Sequence, residues 1–494
     1  MSFTNALKNT LSNAVQLTEN GAVGYVTTGK HIVDMFFKIS SYRNMSESDI
    51  KKDFAKVYAE DPTLAVKFAF YVGDIREGLG ERRVFKAMIE WLSKVEAFDK
   101  LIKYIPEYNR FDSLFVLRGT ELEGKMVKLV KQQLTADKNS DHPTLLAKWM
   151  PSINTSSEKT KELGRWFASE LGMSEREYRK TLSGIRKKLE IVESKMCAGE
   201  WDDVNYEHVP SKANLNYKDA FLKHDETRRR EFLGKVLKGE AKINSGVNFP
   251  HDVLHKYGYY PRAKDDAVEA LWQNLKNTLT DSASNIMVVR DGSGSMTSTI
   301  GGTTVSALEV ATALSIYFSE RQTGEFKDKF ITFSSRPQFV DLSKQKTLFD
   351  KVRTCYAYDE CSNTNIEATF DLILNTVVKN NLKQEEIPDL LIVSDMEFDG
   401  ATTLGWHAGE GAFTTLFKTI ERKFKAHGYE LPKLIFWNVM SRTGTIPMKE
   451  NTAGVGLVSG FSTNVIKAVL SNELDPFKAI EKILNSSRYE NIKL

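Results

Sequence analysis

From residue 285 onward, short apolar runs alternate with segments of helical periodicity, and this alternation restricts the fold more than any other feature of the chain. The runs are Ile286 to Arg290, Phe330 to Phe333, Leu390 to Ser394, Leu434 to Val439 and Val455 to Val458. Between and after them, Val305 to Arg321, Ile366 to Lys379, Phe413 to His427 and Asn464 to Leu470 carry the spacing of helices. Strands without polar alternation are buried on both faces, so the pattern predicts a doubly wound, Rossmann-like α/β domain over residues 282–494. Ligands of such sheets gather where the strands end.

Residues 1–281 follow a different rule. Amphipathic stretches such as Leu64 to Val72, Arg83 to Val95, Leu122 to Leu134 and Glu158 to Leu171 are separated by short polar turns, and strand signals are scarce. They predict an all-helical domain, an α-solenoid or irregular helical array without a clean fixed-period repeat. Two domains also suit a chain of 494 residues, which is long for one hydrophobic core.

A formal charge of +3 argues against a chain that is basic throughout. The opening MSFTNALKNTLSNAV lacks a basic flank followed by a long apolar stretch, and no run approaches about 18 apolar residues. A soluble, cytoplasmic protein without a membrane role is expected. Cys197, Cys355 and Cys361 form no CxxC pair and read as buried small hydrophobes, and the 8 His include no HExxH, which argues against zinc.

The first strand of the second half runs directly into Asp291-Gly292-Ser293-Gly294-Ser295, placing one carboxylate and two hydroxyls on a tight loop. Thr364 stands just before a predicted helix, and Asp395 stands at the end of another strand. Magnesium takes hard oxygen ligands in a small octahedron and keeps several waters, which suits this set. The bland alternative is that Asp291 and Ser295 cap the following helix and Asp395 caps a loop. The five residues together resemble the metal-ion-dependent adhesion site of the von Willebrand A family. That resemblance implies that Ser293, Ser295 and Thr364 coordinate directly while Asp291 and Asp395 act largely through water. It implies Mg2+, or another divalent cation, with an open position for a carboxylate from a protein partner. No nucleophile paired with a general base stands nearby, and Glu397 reads as a solvated loop residue as readily as a participant, so a noncatalytic role is expected.

Four stretches carry a second resemblance: Gly73 to Arg83 (GDIREGLGERR), Lys148 to Thr155 (KWMPSINT), Tyr178 to Leu182 (YRKTL) and Ser394 to Asp399 (SDMEFD). They are similar to TROVE modules of the Ro ribonucleoprotein family, in particular a branch found in plants, bacteria and phages. The resemblance implies HEAT-like helices joined to a von Willebrand A module, and RNA, structured or single-stranded, as a partner.

Read from the residues, the best RNA surface is the stretch with Arg176, Arg179, Lys180, Arg186, Lys187 and Lys188, where Tyr178 could stack on a base. Glu175, Glu177 and Glu190 interrupt it, so a solvated helix face laced with ion pairs explains it equally well. Arg76, Arg82 and Arg83 flank a glycine-bearing turn that could offer backbone amides to a phosphate, or simply cap a helix with the arginines paired to Asp74 and Glu81. Arg228, Arg229 and Arg230 read as an exposed helix face. Gly24 to His31 approaches a phosphate-binding loop, but His31 replaces the required hydroxyl and no strand is expected before it. The expected protein is an RNA-binding scaffold with a cation-dependent docking site; the alternative is a protein-interaction or assembly module without nucleic acid, and a metal-dependent hydrolase comes third.

Overall fold

Strands form where apolar runs are unbroken. The computed structural model describes residues 15–279, 285–333, 336–358, 365–399, 416–447, 455–466 and 475–494. Its strands are β1 (Val15–Leu17), β2 (Val23–Tyr25), β3 (Ile286–Asp291), β4 (Lys329–Phe333), β5 (Gln338–Asp341), β6 (Asp389–Ser394), β7 (Leu434–Asn438) and β8 (Val455–Ser459). The last six make one sheet in the order β5-β4-β3-β6-β7-β8. All its pairings are parallel except that of β5 with β4, which is antiparallel. The expected helical region followed by an α/β sheet is present. β5 was not foreseen, because its alternating exposure makes it a short edge strand with a weak apolar signal.

Two compact units divide the chain. One joins Met1–Asp61 to Gly246–Ser486, and the other joins Pro62–Ser245 to Ser487–Leu494. The change of pattern near residue 281 is therefore a change in the type of element, not the border of a compact unit.

In the α/β unit, the central strand β3 is buried along its whole length. The helix Ala307–Arg321 packs beside it and is started by a capping box in which Ser306 and Glu309 satisfy each other's backbone amides. Residues expected in the helical half belong here. Glu269, on the helix Asp266–Gln273, accepts hydrogen bonds from the amides of Leu348 (2.8 Å) and Phe349 (2.9 Å), capping the helix Leu348–Ala357. The first described segment is not helical: β1 and β2 form an antiparallel hairpin, and Tyr25 exchanges backbone hydrogen bonds with Ile446. Gly24 permits that approach, since a Cβ there would lie 2.3 Å from Thr445 Cγ2. After the hairpin, Thr28 and Thr27 spend their hydroxyls on Asp34, at 2.8 and 2.5 Å. The loop resembling a phosphate cradle is thus closed on its own carboxylate, although a strand, β2, does precede it.

The other unit is helical. Its helices include Pro62–Gly73, Arg82–Leu92, Glu123–Asn139 and Glu158–Glu170, close to the predicted spans, and also Glu175–Lys188 and Glu226–Leu237. Phe70 meets Phe85 and Tyr108 edge-on at ring separations of 5.9 and 5.2 Å, binding successive helices into one core. The Arg228 to Arg230 run is not simply an exposed face. Arg229 is fully buried among Tyr206, Phe221 and Phe232, and Arg228 donates to the carbonyls of Asp202 and Val204. Cys355 is buried as expected, Cys197 is exposed, and Cys361 lies outside the described residues. Among the described residues no helix is long and apolar enough to cross a membrane.

Candidate functional site

Parallel pairing brings the ends of β3 and β6 side by side, with Arg290 opposite Val393, so Asp291 and the residues after Ser394 leave the sheet at one edge. Asp291 is fully buried; its Oδ1 accepts from the Ser293 amide at 2.9 Å and its Oδ2 from the Ser394 hydroxyl at 2.5 Å. The hydroxyls of Ser293 and Ser295 lie 3.0 Å apart. Asp395 is also fully buried, with Oδ1 accepting from the Glu397 amide at 3.2 Å and Oδ2 from Arg442 at 3.0 Å. Four of the five predicted ligands therefore converge. Thr364 lies outside the described residues; its neighbour Asn365 caps the helix Ile366–Lys379.

The capping alternative holds in part: Asp395 and Asp291 each accept from the amide two residues on, as loop caps do. The helix after the loop is capped by Ser306, while Asp291 faces Ser293 and Ser394. Burial, and then the neighbouring Asp395, push the Asp291 carboxyl well above the usual carboxylate range. Burial also raises Asp395, offset in part by Ser295, the Glu397 amide and Arg442. The two buried carboxylates have one guanidinium near them, bonded to Asp395 only, and the hydroxyls of Ser293 and Ser295 stand beside Asp291. A hard divalent cation fits such a donor set. Among the described residues there is no cluster of three or more His, Cys, Asp or Glu side chains suited to a metal, so any cation here would depend on hydroxyl oxygens as well.

Glu397 is not a solvated loop residue. It is fully buried, and its Oε1 accepts from the amides of Arg442 (2.8 Å) and Thr443 (2.9 Å) and the hydroxyl of Thr443 (3.0 Å). Its Oε2 accepts from the Glu19 amide at 2.8 Å. One carboxylate thus ties the loop after β7 and the turn between β1 and β2 to the site. Ser394 and Arg442 escaped sequence reasoning, and Glu397 was left open between a solvated loop residue and a participant. Ser394 could have been found as the polar residue closing an apolar strand, whereas Arg442 has no local signal.

In the helical unit, a capping box of Ser174 and Glu177 starts the helix Glu175–Lys188. Tyr178, Leu182 and Ile185 form its buried stripe. Tyr178 is 1% exposed, its hydroxyl donates to the Pro151 carbonyl at 2.9 Å, and burial pushes the phenol up, so it is not available to stack on a base. Arg186 is also structural, donating to the carbonyls of Ala147 and Met150 and to Ser152. Lys188 caps another helix by donating to the carbonyls of Lys138 and Ser140, each at 2.9 Å.

The opposite face remains. Arg176, Arg179, Lys180 and Lys187 line a groove of about 860 Å³ that also takes in Asn154 and Lys195. Of the interrupting acids, Glu175 pairs with Arg165 and Glu177 with Ser174, while Glu190 lies in the groove itself, paired with Lys195 at 3.4 Å, and Glu200 also lines it. Arg176, Lys180 and Lys187 make no hydrogen bond or ion pair among the described residues, and Arg179 makes one bond of 3.4 Å to its own helix.

Arg76, Arg82 and Arg83 are exposed, and several amides of the turn they flank are spent on backbone carbonyls. The amides of Leu79, Gly80 and Glu81 donate to the carbonyls of Tyr71, Asp74 and Val72, which is helix termination. Asp74 pairs with Arg488 at 2.8 Å.

Residues 285–491 match a family described as "Domain of unknown function (DUF7788)". Residues 18–96 and 121–286 match another, "Domain of unknown function (DUF2828)". The two matches meet at residues 285–286, where the sequence changes from helical to alternating pattern. Neither description names a von Willebrand A module or a Ro protein. The chain is also 27% identical over 516 residues to "Uncharacterized protein L728" of Acanthamoeba polyphaga mimivirus, covering 95% of this chain and 87% of that one. Its structure resembles the crystal structure of the Deinococcus radiodurans RO (RSR) protein with a TM-score of 0.45 at 13% identity, covering 89% of this chain and 94% of that one.

Proposed function

We propose that the protein is a noncatalytic RNA-binding scaffold. The groove beside the helix Glu175–Lys188 takes the phosphate backbone, and the α/β unit, as a von Willebrand A-type module, docks an acidic protein group at a divalent cation. The observation that carries the RNA reading is the set of unpaired cations Arg176, Lys180 and Lys187 on one helix face, in a groove whose basic side chains outnumber its two acids, Glu190 and Glu200. A face laced with ion pairs would have no charge left for a ligand. With about three or four phosphate contacts, single-stranded RNA should bind with a log–log salt slope of about −2 to −3. The triple variant Arg176→Gln, Lys180→Gln, Lys187→Gln should lower affinity at least about tenfold and flatten the slope by about 2. Filter binding across a salt series measures both. Absence of binding by the wild type at low salt would favour a protein-interaction module instead.

Asp291, Ser293, Ser295 and Asp395, with Thr364 as the fifth candidate, would hold Mg2+. The cation supplies a positive charge with an open position for a carboxylate. The protein's own residues fix the pocket: Ser394 orients Asp291, and Arg442 with the Glu397 amide orients Asp395. What supports this reading is the pair of buried carboxylates, which in the free protein lack sufficient counter-charge. Magnesium at about 100 times its dissociation constant should stabilise the wild type by about 2.7 kcal/mol. Asp291→Asn, which keeps the shape, should abolish that rise. An equal rise of the melting midpoint in both proteins would exclude Asp291 as a ligand.

A further inference from the structure

The Arg442 guanidinium is divided between two acids. One amino group donates to the buried Asp395 Oδ2 at 3.0 Å, and the other pairs with Glu19 Oε2 at 2.9 Å. The two halves differ in kind. Asp395 is fully buried and depends on its partners, whereas the Glu19 side chain is 52% exposed and would be hydrated if released. The backbone around Glu19 is fixed independently of its side chain. The Glu19 amide donates to Glu397, the Asn20 amide group to the Glu397 carbonyl at 2.7 Å, and the Thr18 hydroxyl to the Phe398 carbonyl at 2.6 Å. The Glu19 carboxylate can therefore leave while its tether stays in place.

We propose that Arg442 is the carboxylate-receiving arm of the docking site, and that Glu19 occupies it in the resting protein as an internal stand-in for the acidic side chain of a partner peptide. This deepens the adhesion-site reading and rests on it for the position of the second contact. A planar guanidinium already anchored on Asp395 presents its free edge in a fixed direction, which favours carboxylates over other anions of different geometry. A tethered competitor at high local concentration weakens every external acid by the same factor, so removing it strengthens binding without new contacts.

The test uses the full chain and a fluorescein-labelled Gly-Asp-Asp-Gly peptide, followed by fluorescence anisotropy in Mg2+ and again in EDTA. Glu19→Gln should bind the peptide about tenfold more tightly than the wild type, within the usual range of coupling between competing sites. Arg442→Gln should lose binding in both buffers while its circular dichroism matches that of the wild type. Equal affinity of Glu19→Gln and wild type, or no binding by either, overturns the proposal. The cation reading fails separately, if Mg2+ changes neither the peptide affinity nor the melting midpoint while the Glu19→Gln enhancement persists in EDTA.

Discussion

Glu397→Ala is expected to lower the unfolding free energy of the protein by about 3–5 kcal/mol, the range for removing one partner from a buried charged network. The carboxylate is fully buried and gathers the amides of Glu19, Arg442 and Thr443 together with the Thr443 hydroxyl. Its removal would leave those amides and the hydroxyl without their protein acceptor and the three chain segments without their common anchor. Glu397→Gln keeps the shape and one carbonyl acceptor but turns an amide donor toward other donors, so it should fall between wild type and alanine. Urea denaturation of the three proteins measures the order. A loss below about 1 kcal/mol for alanine would mean that these loops are held by something else. Because the Asp395 loop and Arg442 both depend on this anchor, the alanine variant should also lose its stabilisation by magnesium.

A second large effect is expected in the helical unit. Asp74 is fully buried, and Arg488 donates to it at 2.8 and 3.3 Å while stacking over Tyr108 at 4.4 Å. The Tyr489 hydroxyl donates to the same carboxylate at 3.1 Å. Arg488→Ala would strand a buried negative charge and remove packing from Tyr108, costing about 3–5 kcal/mol. The cause can be separated by adding Asp74→Asn. If the uncompensated charge dominates, the double variant should recover at least about half of the lost stability. A double variant no more stable than Arg488→Ala would assign the loss to packing on Tyr108.

Much of the α/β unit was legible because an unbroken apolar run such as IMVVRD can be satisfied only as a strand buried on both faces. The polar residues that end such runs then fall at the sheet edge, which is why Asp291, Ser293, Ser295 and Asp395 could be grouped from strand context together with the family resemblance. Helix spans were equally local: Ser174 and Glu177, or Ser306 and Glu309, announce a start within four residues. The same periodicity could have corrected Tyr178, since Tyr178, Leu182 and Ile185 are in phase on one stripe while Arg176, Lys180 and Lys187 lie on the other.

What a stretch of chain packs against is not encoded by its own periodicity. The sequence alone determined the types and order of the main elements and the oxygen-rich edge of the sheet, because these depend on neighbours a few residues apart. Only the tertiary structure decided that residues 15–61 join the α/β unit, that Arg186 and Lys188 are spent on carbonyls, and that Glu19 and Arg442 meet across 423 residues of chain. Those pairings depend on buried charge and backbone groups finding partners wherever the fold brings them. Sequence distance places no limit on where such a partner lies.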